Sequence, residues 1–141
     1  MKKSIFSFLL MAMMGMVACN SGSKPASPEE TKAMLTKTTW VGVEQSGDGL
    51  DAIKKSFITL KPDNTFEMDN GILNGAITKG KWALNGEELK LSHKKIVEAD
   101  GKERDFTKEI NLKLVSLSSD KLVLEQTEEG VGSVAITYKV K

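Results

Sequence analysis

The chain has one cysteine, Cys19, one histidine, His93, and one arginine, Arg104, among 141 residues. A single imidazole and a single thiol so far apart cannot supply a zinc site, a Ser-His-Asp triad or a Cys-His pair unaided. Metal-dependent and nucleophilic hydrolytic chemistry are therefore not expected, and the chain reads as a non-enzyme with no cofactor. A lone thiol also cannot close an internal disulfide, so Cys19 needs another use. Charge of one sign is missing too. Twenty Lys and Arg stand against 19 Asp and Glu, a formal +1, without the basic footprint that nucleic acid requires. The longest uncharged, mainly apolar run, Ser4–Val17, has fourteen residues. A helix needs about 20 to cross a hydrocarbon core, so a permanent membrane span is the weaker reading of this run.

What is present begins at the N-terminus. Lys2 and Lys3, the apolar run and the small residue Ala18 form the pattern of an export signal cleaved after residue 18. Met16-Val17-Ala18-Cys19 resembles a bacterial lipobox, in which the cysteine is acylated after cleavage. An acylated Cys19 would carry several chains, and two or more give stable anchoring to a bilayer. The alternative is an ordinary signal segment followed by a stray cysteine. Asn20 to Ser27 is small, polar and proline-containing, a composition that buries nothing and suits a flexible tether over 19–27. Processing would leave 18 basic against 19 acidic side chains, a formal −1. The expected domain is 28–141, long enough for one modest core.

Ser27-Pro28-Glu29-Glu30 predicts a helix start, with Ser27 as cap, Pro28 in the first turn and Glu30 reaching back. The helix should run to about Thr36 and lie as a lid or plug. From Thr38 the pattern turns to period-two alternation, which predicts strands at 38–45, 55–61, 65–70, 76–84, 88–96, 104–117, 121–128 and 132–140. Pro62-Asp63-Asn64, Asn85-Gly86 and Ser118-Ser119-Asp120 predict tight hairpins. Longer connections alternate with these, so an up-and-down barrel would have one tightly closed end and one end carrying every long loop. Eight alternating strands with one wet face favour closure, which removes exposed edges. A two-sheet sandwich is the alternative. The expectation is thus an all-β, eight-stranded antiparallel barrel with a short N-terminal helix.

Parity assigns the faces. Trp40, Leu60, Phe66, Trp82, Leu84, Leu89, Leu114, Leu122 and Tyr138 should fill the tight-turn end. Phe106, Ile110, Leu112, Leu124, Val134, Ile136 and Val140 share the inward parity. At the long-loop end that parity also gives Thr78, His93, Lys108 and Gln126, with Glu44 close by. Polar groups at a mouth above an apolar floor suit a small apolar or amphipathic ligand. Lys108 is then the cation able to pair a carboxylate, and His93 a secondary donor. The competing reading is a filled barrel with Lys108 snorkelling to water and His93 an ordinary core histidine. Gly130-Val131-Gly132-Ser133-Val134-Ala135 has dinucleotide-loop spacing, yet a strand follows it where the fingerprint needs a helix. Gly47-Asp48-Gly49-Leu50-Asp51 lacks the ligand series of a calcium loop.

Thr39-Trp40-Val41-Gly42, the run Phe57 to Phe66, Gly80-Lys81-Trp82-Ala83-Leu84 and Lys121-Leu122-Val123-Leu124 resemble the lipocalin-like domain family of small bacterial lipoproteins. The resemblance spans roughly residues 39–140. It implies a lipocalin-like barrel at the cell envelope, lipid-anchored to a bacterial membrane, the outer one favoured, facing periplasm or cell surface. The chain is expected to be a monomer that either binds a small apolar or amphipathic molecule in the barrel or serves as an interaction or structural lipoprotein with a filled barrel.

Overall fold

The computed structural model describes residues 27–46, 55–71, 73–128, 130 and 132–141. The signal segment, Cys19, the tether up to residue 26 and the Gly47–Asp51 run lie outside these. One helix, α1 (Pro28–Thr36), precedes eight strands: β1 (Thr39–Gln45), β2 (Phe57–Leu60), β3 (Thr65–Asp69), β4 (Ile77–Asn85), β5 (Glu88–Val97), β6 (Glu103–Leu117), β7 (Lys121–Glu128) and β8 (Gly132–Val140). Each strand pairs antiparallel with its chain neighbours and β8 returns to β1, closing an up-and-down barrel that fits a lipocalin-like fold. The sandwich alternative is excluded. No described helix is long and apolar enough to cross a membrane.

Local chemistry sets the ends of these elements. Ser27 Oγ accepts from the Glu30 amide at 3.1 Å, capping α1, and Pro28 occupies its first turn, where a missing N–H costs nothing. Between β2 and β3, Asp63 Oδ1 accepts from the Thr65 amide at 2.9 Å and its hydroxyl at 2.6 Å, while Asn64 takes φ 64°. Asparagine tolerates that left-handed backbone because its short side chain bonds locally. The β4–β5 hairpin turns on Gly86 at φ 61°, followed by Glu87, the positive φ that a two-residue hairpin turn demands at its first central position.

The tight-turn end is packed. Trp40, Ile58, Leu60, Phe66, Trp82, Leu89, Leu91, Leu114, Leu117, Leu122, Leu124 and Tyr138 form one buried cluster. Helix α1 plugs this end: Leu35 is fully buried in the cluster, and the Trp40 indole N–H donates to the Leu35 carbonyl at 3.0 Å. The Trp82 indole donates to the Lys61 carbonyl at 3.0 Å, so both large aromatics bury their rings without stranding a donor. Burial also pushes the Tyr138 phenol up to about 12, which keeps the base uncharged.

Bulges alter the inward parity read from the alternation, one of them at Lys94 on β5, after which Ile96 points inward. Register shifts between Gly42 and Glu44 on β1, and between Leu114 and Ser116 on β6. A bulge sets two residues against one, so an extra side chain joins the outer face. Val43 and Val115 are those extra residues, and they are 40% and 38% exposed. Val140, expected inward, is 40% exposed as the last residue of β8.

Candidate functional site

Strand β6 is longer than its partner on one side. Its residues pair with β5 from Glu103 to Lys113, but with β7 only from Lys113 to Leu117. Above Lys113 the two strands separate, and a cavity of about 350 Å³ lies at the split between Asn111, Leu112 and Lys113 on β6 and Glu125 and Thr127 on β7. The β5–β6 hairpin therefore stands above the closed barrel as part of the wall of its mouth. A second cavity of about 360 Å³ sits beside that hairpin, floored by Ala76 and Ile96 and edged by Leu73, Asn74 and Arg104. Arg104 spends its Nε–H on Glu98 at 3.0 Å.

The four expected mouth residues separate into two pairs. Thr78 is buried and satisfied, its hydroxyl donating to the Met68 carbonyl at 3.2 Å. Gln126 is half-buried at the β7 side of the split. His93 and Lys108 are direct cross-strand partners on β5 and β6. They differ sharply in environment: His93 is 3% exposed, whereas Lys108 is exposed. The inward parity of Lys108 does not bury it, because no β7 residue pairs across from it where β6 outruns its neighbour. Lys108 therefore meets solvent at the rim rather than the barrel interior. Glu44 is exposed on the outer side of the β1 bulge and does not join the mouth.

His93 is the unusual group. Its ring stands edge-on to Phe66 at 5.0 Å and 84° and to Phe106 at 5.8 Å and 81°. Among the described residues, neither Nδ1 nor Nε2 has a hydrogen-bond partner. Burial, and secondarily the Lys108 ammonium, hold its pKa below the ordinary 6.5, so at neutral pH the imidazole is uncharged and offers one donor and one acceptor. A buried polar group left unpaired costs roughly 1–3 kcal/mol. The ordinary core-histidine reading, in which the ring is hydrogen-bonded within the fold, is not what the geometry gives.

Sequence reasoning missed Gly80. It pairs with Phe66 on β3 and with His93 on β5, beside a bulge that β5 makes at Lys94. A methyl group there would run into the Ser92 carbonyl oxygen and come within 2.9 Å of both the His93 Cα and the Phe66 Cε1. The missing side chain is what lets the Phe66 ring reach His93. A glycine inside an alternating strand was the available signal, since it marks a bulge or a close approach.

Toward the long-loop end from His93, Ile96 and Ala76 are still buried, while Met68, Phe106, Val134 and Ile136 are half-buried. The barrel thus grades from a packed base, through one unpartnered imidazole, to a partly open apolar mouth with Lys108 and Gln126 at its rim. Among the described residues, no three His, Cys, Asp or Glu side chains gather as metal ligands. Comparison with models of known protein families and with curated proteins returns no match.

Proposed function

We propose that this chain is a membrane-tethered lipocalin-like lipoprotein, anchored through acylated Cys19, that holds one small amphipathic molecule at the mouth of its barrel and catalyses no reaction. The observation that carries the binding reading is His93, buried with both ring nitrogens unpartnered among the described residues and near the half-buried Met68 and Phe106. A ligand that enters the mouth far enough to bond the imidazole recovers the cost of leaving it unpaired, and its apolar part covers Met68, Ile110 and Ile136. Lys108 at the rim suits a carboxylate. The filled base limits the depth available, so the ligand is short or only partly enclosed.

The test is calorimetric titration of the processed chain carrying Cys19→Ser with a medium-chain fatty acid and with its methyl ester. His93→Phe keeps the ring size and removes both nitrogens, and it should weaken acid and ester alike. Lys108→Met should weaken the acid alone. Its exposure places the effect near about 1 kcal/mol, close to exposed ion pairs rather than to the roughly 1.5–3 kcal/mol of desolvated charged hydrogen bonds. If neither compound binds the parent, or His93→Phe binds both as before, the pocket reading fails. The filled structural or interaction lipoprotein would then be the better account.

A further inference from the structure

The outer wall carries a feature that the mouth does not explain. Val43 and Val115, both bulge residues, lie on β1 and β6, and between them stand the outward residues Thr137 of β8 and Val123 of β7, which are direct cross-strand partners. Val41 adds to this band two residues below Val43, and its own β2 partner is Phe57. The band therefore runs unbroken across five strands, with its two most exposed members contributed by bulges.

Its borders are charged unequally. Toward the tight-turn end, Lys121 and Lys139 face each other directly across β7 and β8, and Lys139 also pairs with Val41 in register. Like charges so placed repel. Neither has an acidic partner among the described residues, whereas Lys90, Lys95 and Lys102 elsewhere on the wall are each ion-paired at 2.9–3.0 Å. Toward the long-loop end the band is bordered by Glu44 and by Glu125, which faces Lys113 in register, so that border carries no net positive charge. The tight-turn end is also where the tether arrives, since Pro28 and Glu29 lie beside Trp82, Ala83 and Leu84 at the base. The eight residues from Cys19 to Ala26 reach at most about 28 Å, so an acylated Cys19 keeps this end close to the bilayer.

We infer that the lower flank of the barrel, on β6, β7, β8, β1 and β2, rests on an anionic lipid surface, with the valine band against the interface and Lys121 and Lys139 among the headgroups. Apolar contact and lysine attraction to anionic lipid act together in such docking. The border with Glu44, Glu125 and Lys113, and the mouth, then face away from the bilayer, open to the aqueous side. This inference rests on the proposed Cys19 anchor.

The experiment uses the full chain, produced in an envelope-bearing host and reconstituted into phosphatidylcholine vesicles with or without phosphatidylglycerol, with detergent micelles as reference. Lysines are labelled with an amine-reactive acetylating reagent and read by mass spectrometry. Lys121 and Lys139 should be labelled roughly fivefold more slowly on phosphatidylglycerol vesicles than in micelles, while Lys90, Lys95 and Lys102 keep their rates. Val43→Glu with Val115→Glu, both exposed, should abolish the protection and leave Cys19 acylated. Equal labelling of Lys121 and Lys139 in all three settings overturns the docking and spares the anchor. Equal protection on pure phosphatidylcholine overturns the anionic-lipid reading, and labelling of Lys121 and Lys139 in micelles that quickens on dilution of the protein assigns the face to a second copy of the chain instead. A chain that does not float with vesicles, or lacks acyl mass on Cys19, overturns the anchor and the docking together.

Discussion

Replacing Gly80 by alanine tests the packing that delivers His93 to the mouth. The added methyl would overlap the Ser92 carbonyl oxygen and lie 2.9 Å from the His93 Cα and from Phe66 Cε1. Two of those three neighbours are backbone in the paired strand β5, which cannot yield without breaking the β4–β5 ladder. Overpacking a well-filled core costs typically 1–3 kcal/mol, and the backbone neighbours place Gly80→Ala at about 3 kcal/mol, the upper end of that range. For a domain stable by roughly 5–15 kcal/mol this is a large fraction. Urea denaturation followed by fluorescence of the buried Trp40 and Trp82 measures it, and an unchanged slope confirms that the same surface unfolds. Gly86→Ala is the companion. Nothing lies within 4 Å of a methyl group there and only its φ of 61° resists, so its cost should be about 1 kcal/mol. Shrinking Phe66 to leucine in the Gly80→Ala background should recover less than half of the loss, because the carbonyl overlap persists. A Gly80→Ala loss below about 0.5 kcal/mol would refute the close-approach argument.

Trp82→Ala should cost about 3–5 kcal/mol from the vacated volume, with the Lys61 carbonyl losing its 3.0 Å donor as well. Lys113→Ala, on the exposed face, should change stability by no more than about 0.5 kcal/mol, and equal losses in the two variants would mean that the faces are reversed. For His93 the folded-state pKa lies below 6.5, so the unfolded chain binds more protons and stability falls with falling pH. That contribution is complete above pH 6.5 and is lost as pH drops through the lower folded-state value. His93→Phe should flatten the urea midpoint across that window, and an identical slope in the variant would remove His93 as the cause. Cys19→Ser should release the protein from membranes or leave it unprocessed, read by fractionation and by labelling with a palmitate analogue. Membrane retention and labelling in that variant would rule the anchor out.

The proposed pocket and the proposed flank divide the barrel into an aqueous end and a membrane end, and the same tilt of long against short strands produces both. Where β6 outruns β7 the wall opens and Lys108 is left in solvent. Where β6 and β7 do pair, the bulge at Val115 brings an apolar side chain onto the outer surface. Exposed valines scattered singly would mean little, but cross-strand register makes these neighbours.

Helix α1 and the strand order are determined by the sequence alone, because they rest on interactions within a few residues. Ser27 caps its own helix, Asp63 and Asn64 turn their own hairpin, and period-two alternation must follow the pleat. The packed base follows as well, since large apolar residues at inward positions have nowhere else to go. Only the tertiary structure decided the mouth and the flank. Lys108 shares the inward parity of its row, yet burial needs a neighbour across the seam, and whether β7 reaches that far is a matter of two strand lengths and a register. The bulges at Val43 and Val115 shift parity by one residue through pairing with β8 and β7, which no local pattern encodes. His93 gives the clearest case. Alternation put it inside, but that both its nitrogens are unpartnered depends on Phe66, Gly80 and Phe106 converging from three other strands.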